Sequence, residues 1–416
     1  MAKNKILRIS DFLKNVGPGP IVAAAFIGPG TVMVCTLAGF NFGYSLIWGL
    51  LLSVIATVIL QETAGRIGLA TGKDLAQLIR EQHATPIWKI FQMVLVLVAV
   101  VLGNTAYESG NITGAQLGLQ VFWQSPNLEI GPLVIQSGNF LIGLTAFLLL
   151  ILGNHQVIEK LLVSLVLLMS IAFILTAIWV RPDWSAVLSG FRPSLDSSQI
   201  TTLVALIGTT VVPYNLFLYA SLAKNKWKSP HHIPWMRRDI VLSVILGGLV
   251  SMAILIVGSV NQSPEINTAQ DIAIGLEKVF GEFGKYLMGF GLLAAGLTSS
   301  ITAPLAAGLV ICGIMGWSQE TRSVSMRLSI GTVVSLGLVF ASLGIKAAQL
   351  ISLAQLANGI LLPLISGWII WLANQKVWMK SHKNPFWINA ISILIWSITL
   401  ILGVKSISSV LNLDIF

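Results

Sequence analysis

Side chains able to do chemistry are scarce within the apolar stretches of this sequence, and they gather at two interruptions. The first is Phe26-Ile27-Gly28-Pro29-Gly30-Thr31, in the middle of an apolar run from Ile21 to Phe42. The second, Gly208-Thr209-Thr210-Val211-Val212-Pro213-Tyr214-Asn215, follows about 180 residues later. Proline removes a backbone donor and clashes with the preceding turn, while glycine releases the backbone. Each stretch should therefore split a membrane helix into two halves. Broken backbone at membrane depth is tolerated only where protein buries it or where it lines a cavity. Two interrupted helices at matching positions of two halves point to a binding site for a transported solute. Freed backbone groups there would act with Gly28, Gly30, Thr31, Thr209, Thr210, Val212, Tyr214 and Asn215, joined from a third span by Asn111.

Charge inside the spans is sparser still. Glu108 is the one carboxylate well inside a span, where an ionisable residue is a functional candidate by default; the alternative is a structural acid bonded to Thr105, Asn111 or Thr113. Glu62 has Arg66 four residues on, the spacing of a helical salt pair. Met33 and Cys35 follow the first break, but Met at helical spacing is more often packing than ligand. Ser299, Ser300 and Thr302 form a hydroxyl run suited to Na⁺, although Ser and Thr also serve simple helix contacts.

These groups need a membrane scaffold. Of the 416 residues 55% are hydrophobic and 10% charged, which excludes an ordinary soluble protein. Apolar runs of about 20 residues mark eleven spans, near 17–42, 44–70, 86–119, 132–153, 157–180, 198–223, 238–262, 284–316, 324–345, 347–373 and 385–408. The connection Asn261 to Glu282 is the longest and has room for a short surface helix. The chain reads as one membrane domain, 1–416, with a tail at 1–16 and no evident cleavable signal peptide. Cys35 and Cys312 fall inside spans and read as small core residues.

Orientation follows from lysine and arginine. Nineteen of the 25 fall on the side of the N-terminus, which predicts an N-terminus in the cytoplasm and a C-terminus outside, in a plasma or inner membrane. The net charge of +9 is thus a topology signal and not a nucleic-acid footprint, and Lys224–Arg238 reads as a solvated cytoplasmic loop. A membrane enzyme would need a nucleophile–base pair or a metal cluster, for which the spans offer no histidine. No phosphate-cradling loop suggests ATP use. The class left is a secondary transporter working by alternating access.

Several stretches together resemble one family. They are Gly17-Pro18-Gly19-Pro20, the first break, Phe42-Gly43-Tyr44-Ser45-Leu46-Ile47-Trp48, Leu60-Gln61, Ile67 to Ala76, Gly208 to Leu218 and Ser299-Ser300-Ile301-Thr302. Over most of its length the chain resembles the natural resistance-associated macrophage protein (NRAMP) family of metal transporters. The resemblance implies an all-α polytopic protein of LeuT type: two inverted five-helix repeats, here 17–180 and 198–373, plus one extra helix at 385–408. Spans 1 and 6 would be unwound at mid-membrane, and a sodium site of the LeuT kind would lie between spans 1 and 8.

The departures bear on substrate. The family's Asp-Pro-Gly-Asn reads Gly28-Pro29-Gly30-Thr31 here, and its Met-Pro-His reads Val212-Pro213-Tyr214. A second family histidine corresponds to Tyr219. The family's third-span Asp and Glu correspond to Asn104 and Tyr107, unless a one-residue shift brings Glu108 to the acidic position. A carboxylate supplies the charge a divalent cation wants, and a thioether selects transition metals; both are missing. The expectation is therefore no Mn²⁺ or Cd²⁺ binding at the family's site. Helix N-termini attract anions, so a small inorganic anion such as bicarbonate is expected, carried with Na⁺ through Ser299, Ser300 and Thr302. The alternative is a divalent cation, Mg²⁺ or Mn²⁺, held partly hydrated and proton-coupled through Glu108. No cofactor beyond a bound Na⁺ is expected; the partners are the ion and the lipid bilayer, with no nucleic acid and no required oligomer.

Overall fold

Proline placement explains where the helices of the core start and stop. The computed structural model describes residues 17–19, 27–82, 85–130, 133–152, 156–194 and 196–410. Helix α1 spans Pro29–Phe42, with Pro29 at its first turn and Gly28 as an extended N-cap at φ −99°, ψ −177°. A residue before proline is pushed out of the helical region by the ring, and Gly28 obeys that rule. The chain from 20 to 26, the first half of the expected broken span, lies outside the described residues. The second break is described on both sides. Helix α8, Ile200–Thr210, and α9, Pro213–Trp227, are separated by Val211 at φ −96°, ψ 75° and Val212 at φ −80°, ψ 121°. Val212 also precedes a proline. The interruption is thus two residues long, narrower than the 208–215 stretch that suggested it.

Between these lie α2 (Ile47–Thr71), α3 (Leu75–Glu81), α4 (Pro86–Gln120), α5 (Ser137–Leu152), α6 (Gln156–Trp179) and α7 (Trp184–Ser189). After α9 come α10 (Ile233–Ser259), α11 (Ala269–Phe280), α12 (Phe283–Met315), α13 (Val324–Ala341), α14 (Ala347–Ala373), α15 (Lys376–Met379) and α16 (Phe386–Val410). Helix α11 is the short helix expected in the longest connection. Among the described residues eight stretches are long and apolar enough to cross a bilayer, the interrupted 197–227 among them. Ser137–Leu152 and Val163–Trp179 are shorter apolar helices.

The core is arranged around α4. It packs against α12, α14 and α13, while α1 lies against α10, and α8 against α14 and α2. Small residues permit the closest approaches, as is usual between membrane helices. A side chain at Gly208 would run into the backbone of α14 at Gln355 and Gly359. Leucine and phenylalanine on the outer faces of α5, α6 and α10 stay exposed, as a lipid-facing surface requires, among them Leu152, Leu168 and Leu246.

Two features differ from the sequence reading. The all-helical fold carries one small addition: β1 (Asn127–Ile130) pairs antiparallel with β2 (Leu133–Gln136), Asn127 opposite Gln136, in the connection between α4 and α5. The β-branched Ile130, Val134 and Ile135 favour extended strands here. Lys224–Arg238 is not a solvated loop, because α9 runs on to Trp227 and α10 starts at Ile233. Two of its charges are engaged, Lys224 Nζ lying 3.6 Å from Asp74 Oδ2 and Arg237 Nε 2.9 Å from Glu62 Oε1, while Lys226, Lys228 and Arg238 are exposed. The Glu62–Arg66 pair forms at 3.0 Å, as the spacing suggested. Of the histidines, His83 and His155 lie outside the described residues.

Candidate functional site

The two breaks meet. Thr31 on the first turn of α1 and Thr209 on the last turn of α8 share a hydrogen bond of 2.7 Å between their hydroxyls, both side chains being buried. Gly30, one residue before, faces α14, where a side chain would collide with the Gln355 amide. Glycine here lets Gln355 reach the break. Gln355 Oε1 and Asn358 Nδ2 are buried without a hydrogen bond of ordinary geometry.

Pro213 determines the chemistry at the end of α8. In an unbroken helix the Thr209 carbonyl would accept from the N–H of residue 213, and proline has none. Carbonyls at a helix C-terminus carry partial negative charge. Beside them is a small enclosed cavity lined by Thr57, Gln61, Thr210, Val211, Val212 and Asn215, with room for about one water. Gln61 Oε1 and both amide atoms of Asn215 are buried without a hydrogen bond of ordinary geometry. The Thr210 carbonyl is 3.5 Å from the Thr57 hydroxyl, whose stronger bond, 2.7 Å, goes to the Ser53 carbonyl. The Thr210 hydroxyl is turned back to Leu206 O within its own helix. Val212 contributes backbone; its side chain is packed in the apolar core. This corner of the site presents neutral oxygen atoms and no fixed charge.

On the other side of Gly28 is an aromatic and hydroxyl cluster. A Cβ at Gly28 would be 2.8 Å from Ser299 Oγ and 3.6 Å from Tyr107 Oη. Tyr107 and Tyr214 stand edge-on, ring centroids 5.2 Å apart. The Tyr214 hydroxyl lies beside Tyr107 and Thr302. Thr302 donates within α12, to the carbonyls of Thr298 at 3.2 Å and Ser299 at 3.3 Å.

Glu108 and Asn111 are brought to each other on α4. Asn111 Nδ2 donates to Glu108 Oε2 at 3.3 Å, and Ser300 lies close by. One helical residue is a rotation of about 100°, so Tyr107 faces the second break while Glu108 faces α12 and α13. Gly337 on α13 makes room for it; a Cβ there would be 2.7 Å from Glu108 Cγ. Asn111, expected among the break residues, belongs with this buried acid.

The sequence alone does not single out Thr57; it marks Gln61 only as a motif match and Tyr107 only as a departure from the family's acidic position. Their signal was a polar residue on a buried helix face, which needs the neighbouring break to acquire meaning. Sulfur does not enter the site: Cys35 is buried beside Ser251, and Cys312 beside Ser329. Among the described residues there is no group of three or more His, Cys, Asp or Glu able to hold a metal.

Known proteins place this arrangement. The Natural resistance-associated macrophage protein-like family profile matches residues 19–409. The chain is 28% identical over 405 residues to a divalent metal cation transporter, MntH 1, of Pseudomonas aeruginosa, covering 92% of this chain and 88% of that one. It is 26% identical over 413 residues to the divalent metal cation transporter MntH of Agrobacterium fabrum, covering 94% and 86%. In structure it is similar to the Eremococcus coleocola manganese transporter, at TM-score 0.76 and 23% identity, covering 96% and 87%. It is also similar to Mhp1, a nucleobase-cation-symport-1 family transporter, at TM-score 0.58 and 13% identity, covering 94% and 90%. These likenesses bear out the LeuT-type fold. Members of the matched family are membrane transporters and not enzymes, and metal is their cargo, not a cofactor. From residue 19 to residue 409, the chain belongs to the NRAMP family.

Proposed function

We propose that this protein transports a hard divalent cation, Mn²⁺ or Mg²⁺, bound partly hydrated through neutral oxygens at the second break. The observation that carries the reading is the cavity at the C-terminal end of α8, where Gln61 and Asn215, each with a buried amide oxygen lacking a hydrogen bond of ordinary geometry, stand beside Thr210, Val211 and Val212. Unwound carbonyls and helix C-termini favour cations in broken-helix transporters; the cavity has room for about one water, so it must widen to admit an ion that keeps part of its hydration shell. The divalent metal cation transporters similar to this chain support the same class of cargo.

The bicarbonate expectation gives way on two grounds. None of the relatives above is described as an anion carrier. In addition, both half-helices that would greet an anion begin with proline, Pro29 and Pro213, so the first N–H of each is missing. The missing carboxylate and thioether then bear on affinity and selectivity, not on the sign of the charge carried.

The test is isotopic uptake into proteoliposomes, with Mn²⁺, Mg²⁺ and bicarbonate compared in one preparation. Saturable cation uptake is expected, lost or severely reduced in Gln61→Leu and Asn215→Leu. Bicarbonate uptake above empty liposomes, with no cation uptake, would reject the proposal.

A further inference from the structure

Helix α12 stops at Gly316, which takes the left-handed conformation at φ 75° and returns its N–H to the Cys312 carbonyl. The Trp317 N–H goes to the same carbonyl at 2.8 Å, so the chain turns sharply and leaves the Trp317 side chain half exposed. A side chain at position 316 would also run into the Arg80 guanidinium of α3. Conformation and space both require glycine there, and the turn brings Arg80 against the residue that precedes Trp317.

Two largely apolar cavities adjoin this turn, and they share Ile311 and Trp317 as a common wall. One, of about 620 Å³, runs along α13 past Val324, Leu328 and Thr332. The other, of about 410 Å³, lies toward α4 against Val98, Leu102 and Met315. Leu328 is 66% and Leu102 60% exposed, so both cavities open on the lipid-facing surface and not on the breaks. Thr332 lies two turns beyond Val324, a rise of about 12 Å. That depth is close to the roughly 15 Å of hydrocarbon in one leaflet.

Positive charge is in excess where the two cavities meet the connection between α12 and α13. Arg80 is partly exposed, Arg322 is exposed in the connection itself, and Arg327 on the first turn of α13 has its Nε without a hydrogen bond of ordinary geometry. Of the acids, Glu81 lies 3.7 Å from Arg80 and pairs with Lys73 as well, Glu320 is exposed in the connection, and Asp74 is answered by Lys224. We propose that the paired cavities hold one anionic phospholipid, its two acyl chains on either side of the Trp317 indole and its phosphate at the Arg80–Arg322 end. A single chain would leave one cavity unfilled, whereas a diacyl lipid fills both from one headgroup. Tryptophan favours the headgroup level of a bilayer, and basic pockets between membrane helices hold anionic headgroups. Binding there depends neither on the breaks nor on which ion is carried.

The test is native mass spectrometry of the full chain, purified in detergent and loaded with equal amounts of phosphatidylglycerol and phosphatidylcholine. One phosphatidylglycerol per chain is expected to survive stepwise delipidation, retained over phosphatidylcholine by about fivefold or more, the scale of one basic side chain at a membrane surface. Leu328→Trp and Leu102→Trp each fill one cavity from an exposed, lipid-facing position, so folding should be little affected, and each should abolish the long-lived adduct. Arg80→Gln should instead keep an adduct and lose most of the headgroup preference. Phosphatidylglycerol should raise the thermal stability of the unmodified protein and not that of the two tryptophan variants, because a ligand bound only to the folded state stabilises it. Lipids lost together with no retained stoichiometry, equal retention of the two lipids, or tryptophan variants that keep the adduct as the unmodified protein does would each overturn the proposal.

Discussion

The hydroxyls of Thr31 and Thr209, 178 residues apart in sequence, meet at 2.7 Å where α1 begins and α8 ends. This bond joins the start of α1 directly to the end of α8. It also occupies a place where the metal-transporting relatives of the sequence resemblance carry an amide.

The first prediction tests that bond. Thr31→Val and Thr209→Val should each destabilise the protein by about 1–2 kcal/mol, the cost of leaving a buried hydroxyl without its partner. The double variant should cost less than the sum, with a coupling of about 0.5–1 kcal/mol, typical of hydrogen bonds between membrane helices. Thermal unfolding of the four proteins in one detergent measures it. Strict additivity would mean that the two hydroxyls do not interact.

Selectivity is the second prediction. Cations at the second break meet oxygen only, so Mn²⁺ and Mg²⁺ should compete on comparable terms and Cd²⁺ should gain no advantage from sulfur. Restoring a carboxylate at the first break should change that balance. Gly28→Asp alone meets Ser299, whose Oγ would be 2.8 Å from the new Cβ. Gly28→Asp combined with Ser299→Ala removes that obstacle and is expected to raise Mn²⁺ affinity by about tenfold or more, on the scale of one charged ligand. Calorimetric titration of the single and double variants reads the difference. Equal affinity in the double variant and the unmodified protein would show that position 28 does not face the ion.

The breaks themselves were legible because proline acts locally. Pro29 and Pro213 each force the preceding residue to extend, whatever the rest of the fold does. Gly28 and Val212 are extended accordingly. The Glu62–Arg66 pair was legible for the same reason, being set by helical spacing. What sequence could not give was rotation about a helix axis. Tyr107 and Glu108 are neighbours in the chain, yet they face different helices, and only packing against Gly337 and Tyr214 decides which faces which. Asp239 escaped attention because its partners are the backbone N–H groups of Gly17 and Gly19, which carry no sequence signature beyond the glycines that allow the approach. The hairpin at Asn127–Gln136 is not legible, and its second strand falls inside the expected span 132–153, since two four-residue strands leave little periodicity to see.

The last prediction concerns coupling. Glu108 is fully buried on α4, accepts one hydrogen bond from Asn111, and has its other oxygen without a bond of ordinary geometry. Gly337 leaves the space it occupies, so the acid is accommodated by design of the packing and not by accident of a loose core. A buried intramembrane acid is a natural carrier of a proton. Cation uptake into proteoliposomes should therefore accelerate when the outside is made acidic relative to the lumen, and a Na⁺ gradient should add nothing. Glu108→Gln keeps the shape and an amide oxygen but removes the titrating group. It should retain uptake down the cation's own gradient while losing the acceleration by external acid. A merely structural role would lower both together, through loss of folded protein. Uptake driven by Na⁺, with Glu108→Gln responding to pH as the unmodified protein does, would return the coupling to the hydroxyls of Ser299, Ser300 and Thr302.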